Sequence, residues 1–476
     1  MSTSNKSSAE CLELGNRTPA TSSRTPQHAS APELVRNELA LIPVDGGLGA
    51  WSFVQSGLTN ANLKEMIVYG FPMAFGVFLA EYLRNPEYLA QPGATSLLPL
   101  IGSLSSGIIN FSAGLFIYPF ISRNPEWRRT LTLIGGIICF ASILGASYAT
   151  KVTQLLALQG ILYAIGGSLL YAPCISYIPE WFVKKRGLAN GVMFAGMGVG
   201  GLILPLIIPR IIAVHGSAIT LRYLSIAIGI LLLPCYPFLK GRLPVARIDG
   251  SAARRPSDHT WLTSTSFWLV IAVNTVQSFG YFLPVLWLPT FASNLDLSDS
   301  DSSLTLAALN GASVIGGLAI GYVSDTVDPW LLALSTLGSS ALATFVLWGF
   351  LSNSFPGVLA FSLVYGIMTG AWPSLWTAFL RPIVKDDLTL ATSLFGYILL
   401  SRGIGNIAST PISNVLMRNN QSSVPHQHTK TGFAVGEGRF ENVILYVSIC
   451  FATASVMATI GWGREKSRAR KASSNA

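Results

Sequence analysis

Apolar and polar residues fall along this chain in blocks. From residue 63 onward, runs of about 20 mostly apolar residues are separated by short polar connectors. Wound as an α-helix at about 1.5 Å per residue, a run of that length crosses a hydrocarbon layer roughly 30 Å thick. Twelve runs qualify: 63–83, 95–121, 129–149, 154–180, 188–212, 219–239, 265–292, 304–324, 329–351, 356–380, 389–412 and 441–462. The pattern therefore predicts an all-α polytopic membrane protein. Residues 1–44 are rich in Ser, Thr and Pro and lack an apolar stretch of signal-peptide length, which predicts a disordered tail and no cleaved leader.

The fifth run, LANGVMFAGMGVGGLILPLI, holds Gly196, Gly198 and Gly201 in the order G-x-G-x-x-G. A dinucleotide turn needs a preceding strand and an acidic residue about 20 positions on. No Asp or Glu occurs between Gly201 and Asp249, and the flanks are apolar. A second spacing fits better: Gly187, Gly191 and Ala195 recur every four residues, as do Gly196 and Gly200. Small residues at that interval clear a helix face so that two backbones approach closely in lipid.

Composition agrees with a membrane chain: 50% of the 476 residues are hydrophobic and 11% charged, against about 25% charged in soluble domains. Of the 31 lysines and arginines, 23 fall in segments on one side of the twelve spans. The positive-inside rule places that side, with both termini, in the cytoplasm. The net charge of +9 is thus topogenic, and without interleaved aromatic residues it does not indicate nucleic acid. Asn420-Gln421-Ser422 is a glycosylation sequon in the predicted outer loop 413–440. The five cysteines form no C-x-x-C pair, so no metal site or disulfide framework is indicated. His426 and His428 fit a solvated loop better than a metal site, and no cofactor is implied.

The basic connector 240–264 divides the spans six and six, into 45–239 and 265–462, with a basic tail at 463–476. An offset of 200 pairs Pro173 with Pro373, Lys185 with Lys385 and Gly196 with Gly396; an offset of 203 pairs Gly114 with Gly317. Parallel repeats related by an axis along the membrane normal leave such matches.

Specific words carry a resemblance. Asp45-Gly46-Gly47 with Trp51, the runs Tyr69-Gly70-Phe71-Pro72 and Phe75-Gly76-Val77-Phe78, and Trp181 to Gly191 (WFVKKRGLANG) stand in the first half. Gly280 to Pro284 (GYFLP), Leu288-Pro289-Thr290, Gly316 to Asp325 (GGLAIGYVSD) and Ser401 to Asn406 (SRGIGN) stand in the second. Together they resemble the monocarboxylate-porter family of the major facilitator superfamily, in its fungal form, over most of residues 45 to 462. The resemblance implies the major facilitator fold, twelve transmembrane helices in two six-helix bundles about a central cavity. Two departures stand out. Family members often carry an arginine midway along helix eight, paired in animal lactate carriers with an aspartate one turn earlier; those positions here are Gly317 and Ser313. In addition, Gln55 to Lys64 (QSGLTNANLK) is polar where the family's first helix is apolar.

The resemblance implies that helices one, four, seven and ten line the cavity. Helix ten offers Tyr365, Thr369, Trp372 and Trp376 on one face; helix seven offers Asn274, Gln277 and Tyr281; helix four offers Gln159 and Tyr163. Each is readable as a substrate contact or as an interhelical hydrogen bond. Arg402, within helix eleven, binds an anionic substrate or holds neighbouring carbonyls. Among the 22 acidic residues, Glu65 is the candidate for proton coupling, with an ion pair to Lys64 as the plainer reading. Asp325 resembles a conformational latch, with Lys385 its candidate partner.

These features predict a secondary transporter in the plasma membrane that moves a small organic acid or related metabolite by alternating access, its partners being that small molecule and the lipid bilayer. Two alternatives stand beside it: efflux of a fungal secondary metabolite, and a non-transporting sensor or scaffold. No nucleophile and base sit together among the spans, so an enzyme is not indicated.

Overall fold

The computed structural model describes residues 59–176, 186–235, 260–384, 388–419 and 431–474. They are helical throughout: α1 (Thr59–Tyr82), α2 (Ala94–Arg123), α3 (Arg128–Ala146), α4 (Val152–Ser176), α5 and α6 (together Arg186–Leu232), α7 (Thr265–Ser293), α8 (Asp299–Val323), α9 (Pro329–Leu351), α10 (Phe355–Val384), α11 (Leu388–Asn419) and α12 (Glu441–Ser474). Ten helices among the described residues are long and apolar enough to cross a membrane, and one of these turns on itself. Gly216, at φ 77° and ψ 169°, breaks the run Arg186–Leu232 in open space, a conformation that costs glycine little. Arg222 then reaches back to Ser147, and Gly229 lies against Phe140, so α6 returns antiparallel to α3. The 32-residue α11 is long enough to cross but more polar, because it carries Arg402, Asn406 and Asn414. The helix path thus supplies the twelve passes expected.

Element ends depart from expectation in two places. The last helix runs on through the basic stretch to Ser474, because Arg, Lys and Ala are good helix formers. At the other end α1 begins at Thr59, inside the polar stretch; residues 55–58 lie outside the described residues.

Besides an apolar core, the protein has a largely apolar outer face and buried polar groups. Large apolar side chains face outward, among them Ile137 at 59% exposure and Leu342 at 66%, while Asn110, Gln159, Asn274, Gln277, Arg402 and Asn406 are buried. Backbone and side-chain polar groups must find partners within the protein when lipid surrounds it. Small residues join the first six helices to the last six. A Cβ on Gly191 of α5 would lie 2.5 Å from the Gly317 carbonyl oxygen of α8, and one on Gly107 of α2 would lie 2.5 Å from Ile407 of α11. Gly114 of α2 likewise meets Gly396 of α11. Gly196 and Gly200 face α1, whereas Gly198 and Gly201 face Asn310 of α8. The glycines of the G-x-G-x-x-G word therefore serve packing on two sides of one helix.

Each junction is also pinned near an end. At the end where α1 starts, here the proximal end, Asp325 accepts hydrogen bonds from the Gly187 and Leu188 amides at 3.0 and 3.2 Å. It caps the first turn of α5 from the other half of the chain, where unpaired amides and the helix dipole favour an anion. Lys385, its expected partner, lies outside the described residues. At the distal end Arg84 pairs with Asp299 at 2.8 Å and donates to Ser293 Oγ at 3.0 Å.

Candidate functional site

The site is built on two helices with a shared frame. In α1, Asn62, Glu65, Tyr69 and Pro72 follow the spacing N-x-x-E-x-x-x-Y-x-x-P; in α7, Asn274, Gln277, Tyr281 and Pro284 follow N-x-x-Q-x-x-x-Y-x-x-P. The prolines remove an amide from each helix and free the carbonyl four residues earlier, Val68 and Gly280. A tyrosine from another helix supplies the missing donor nearby. Tyr163 of α4 donates to the Ile67 and Val68 carbonyl oxygens at 2.6 and 3.2 Å. Tyr365 of α10 donates to the Tyr281 carbonyl oxygen at 3.0 Å, one residue from Gly280. The Tyr163 hydroxyl thus reaches the carbonyl freed by Pro72, whereas the Tyr365 hydroxyl binds beside the one freed by Pro284.

Other candidates are also spent on protein partners. Gln159, in a wide π turn of α4, exchanges hydrogen bonds with the Tyr82 hydroxyl, donating to it at 3.0 Å. Asn274 is a hub: its Nδ2 donates to the Ile398 carbonyl at 2.9 Å and Ser401 Oγ at 2.7 Å. Its Oδ1 accepts from the Trp372 and Trp376 indoles at 2.7 and 3.2 Å. This ties α7, α10 and α11 together. Thr369 Oγ1 donates within its own helix to the Tyr365 carbonyl at 2.7 Å.

Arg402 differs from all of these. Its side chain is 4% exposed, and its guanidinium stands 4.1 Å over the Tyr281 ring and 5.4 Å from the Trp376 ring. Its Nη1 donates to Gln277 Oε1 at 3.1 Å, and no carboxylate pairs with it among the described residues. The Gln277 Nε2 has no partner there either. Aromatic faces stabilise a desolvated cation by about 2 kcal/mol, much less than burying a charge costs without a counter-ion.

On α1, Glu65 is buried, with neither carboxylate oxygen hydrogen-bonded among the described residues. It forms no ion pair with Lys64, since side chains of consecutive helical residues leave about 100° apart. That replaces the plainer expectation for Glu65 with an acid lacking a described counter-ion. Tyr69 lies within electrostatic range of both Glu65 and Arg402, and its hydroxyl donates to Asn110 Oδ1 at 3.0 Å. A buried acid and a buried cation, supplied by opposite halves of the chain, thus both act on Tyr69.

The frame shared by α1 and α7 was legible in the sequence at an offset of 212 but not at the offsets of 200 and 203 that align later helices. Asn420, His426 and His428 fall outside the described residues.

Comparisons with known proteins agree with this architecture. The family model described as Major Facilitator Superfamily matches residues 57–410. The "Fujikurins efflux protein" of Gibberella fujikuroi is 27% identical over 379 residues, covering 79% of this chain and 78% of that protein. "MFS-type transporter 1" of an Ophiocordyceps species is 28% identical over 334 residues, covering 70% and 71%. Among solved structures, a D-xylose-proton symporter superposes with a TM-score of 0.64 at 16% identity, over 85% of this chain and 97% of its own.

Proposed function

The chain belongs to the Major Facilitator Superfamily, and from that premise we propose that this multi-pass membrane transporter exports an amphipathic organic acid of the secondary-metabolite kind. The observation that carries the reading is Arg402, a buried cation stacked on Tyr281 with an amide for its hydrogen-bond partner and no described counter-ion. A carboxylate entering the chamber supplies that counter-ion, and the rings of Tyr281 and Trp376 receive the apolar body attached to it. An efflux protein for fujikurins among the relatives supports the outward direction. Glu65 is the group that couples a proton to the cycle. The two halves, 45–239 and 265–462, joined by 240–264, rock about the chamber, with both termini on the cytoplasmic side of the plasma membrane.

A second reading, proton-linked uptake as in the monocarboxylate porters, rests on the signature words. Against it, Gly317 and Ser313 occupy the clamp positions, and both are packed: the Gly317 carbonyl accepts from Ser374 Oγ at 3.0 Å, and Ser313 abuts Gly370 of α10.

The test is flux of radiolabelled benzoate from preloaded cells of a transporter-deficient yeast. Export faster than in cells lacking the protein, reduced roughly tenfold or more by Arg402→Gln at equal surface level, supports the proposal. Accelerated entry with no effect on exit overturns the direction, and unchanged export by the variant overturns the role of Arg402.

A further inference from the structure

Towards the proximal end, a partly enclosed cleft lies between the first six helices and the last six. Its apolar wall includes Leu380 of α10 and Phe395 of α11. Set into that wall are Tyr118 of α2, Asn190 of α5 and Thr377 of α10. The Tyr118 hydroxyl, both Asn190 amide atoms and Thr377 Oγ1 are buried with no hydrogen-bond partner among the described residues. Tyr118 and Asn190 are each 1% exposed. An unmet buried polar group is costly, and folded proteins keep very few. Four such atoms around one cleft mark a place whose partner comes and goes.

The surroundings select the charge of that partner. The one charged residue lining the cleft, Arg381, is exposed to solvent. No buried charge lines the cleft, which suits a neutral group. An asparagine with a free donor beside a free acceptor matches a group that offers one of each in a plane.

We propose that this cleft is a binding station for a neutral amide- or lactam-type group on an apolar body, separate from the Arg402 chamber, with Asn190 reading the amide edge. Nδ2 of Asn190 gives a hydrogen bond to the ligand carbonyl, and Oδ1 takes one from the ligand N–H. The Tyr118 and Thr377 hydroxyls complete the shell, and Leu380 and Phe395 hold the apolar body. The station rests on the transporter reading only in lying on the path between the halves.

Equilibrium binding to the purified full-length chain in detergent tests it, with radiolabelled benzamide as the neutral probe and benzoate as the anionic one. Asn190→Leu is expected to weaken benzamide about tenfold or more, and Tyr118→Phe or Thr377→Val about threefold, each moving benzoate less than about twofold. Arg402→Gln is expected to do the reverse. Thermal unfolding reports whether each variant is folded; if Asn190→Leu is not, the other two cleft variants decide. Absence of saturable benzamide binding to the wild type, binding indifferent to the cleft variants, or equal loss in Arg402→Gln overturns the station. Loss of the benzoate pattern alone overturns the function proposed for the chamber and leaves the station standing.

Discussion

Helix α1 and helix α7 carry the same frame, an asparagine, a hydrogen-bonding residue, a tyrosine and a proline at identical spacing, and they differ in charge. The frame is used alike in both: a tyrosine from another helix, Tyr163 of α4 or Tyr365 of α10, donates to a backbone carbonyl near the proline. What sits beside the frame is not repeated. Glu65 stands where α7 has Gln277, and that amide holds Arg402. The offset of 200 that pairs Gly196 of α5 with Gly396 of α11 puts Leu202 at the counterpart of Arg402. Repeated residues are therefore scaffold, and the unrepeated pair of opposite charges is where specificity is to be sought.

The sharpest break between the halves is at their asparagines. Asn274 satisfies two indoles, whereas Asn62 Oδ1 is buried with no partner among the described residues. Asn274→Leu is expected to cost about 2–4 kcal/mol of unfolding free energy, and Asn62→Leu less than about 1, because only the former strands buried donors. Denaturant unfolding in detergent compares the two. Next come the two donor tyrosines: Tyr163→Phe and Tyr365→Phe should each cost about 1–2 kcal/mol and leave substrate affinity alone. A changed affinity in either would move that residue from scaffold to site.

Glu65→Gln makes the first wall chemically resemble the second. Removing a buried charge without a counter-ion should leave stability unchanged or raised, while the pH dependence of flux across the neutral range disappears; persistence of that dependence would place coupling elsewhere. The smallest effect belongs to the distal clasp. Arg84 and Asp299 are 48% and 65% exposed, so Arg84→Ala should change stability by no more than about 1 kcal/mol, and less as salt is raised.

Much of this was readable before the coordinates. Apolar run length located every helix, since nothing else in a chain requires about 20 such residues. Spacing of small residues marked α5 as a close-packing helix, although not that its glycines divide between α1 and α8. The polar stripes of α4, α7 and α10 were visible, but their partners were not. That the Tyr163 hydroxyl reaches the carbonyl freed by Pro72, 91 residues earlier, depends on how two helices meet. The cap that Asp325 gives to Gly187 and Leu188 is hidden for the same reason. Repeat symmetry was partly masked because loops of unequal length shift the offset between halves.

The central claim is that Arg402 waits for an anion, and benzoate binding to the purified protein tests it most directly. Saturable binding to the wild type, weakened roughly tenfold or more in Arg402→Gln with the folded state retained, is the result this account requires. Binding of equal strength in the variant would show that the guanidinium serves only to brace Gln277 and its neighbours.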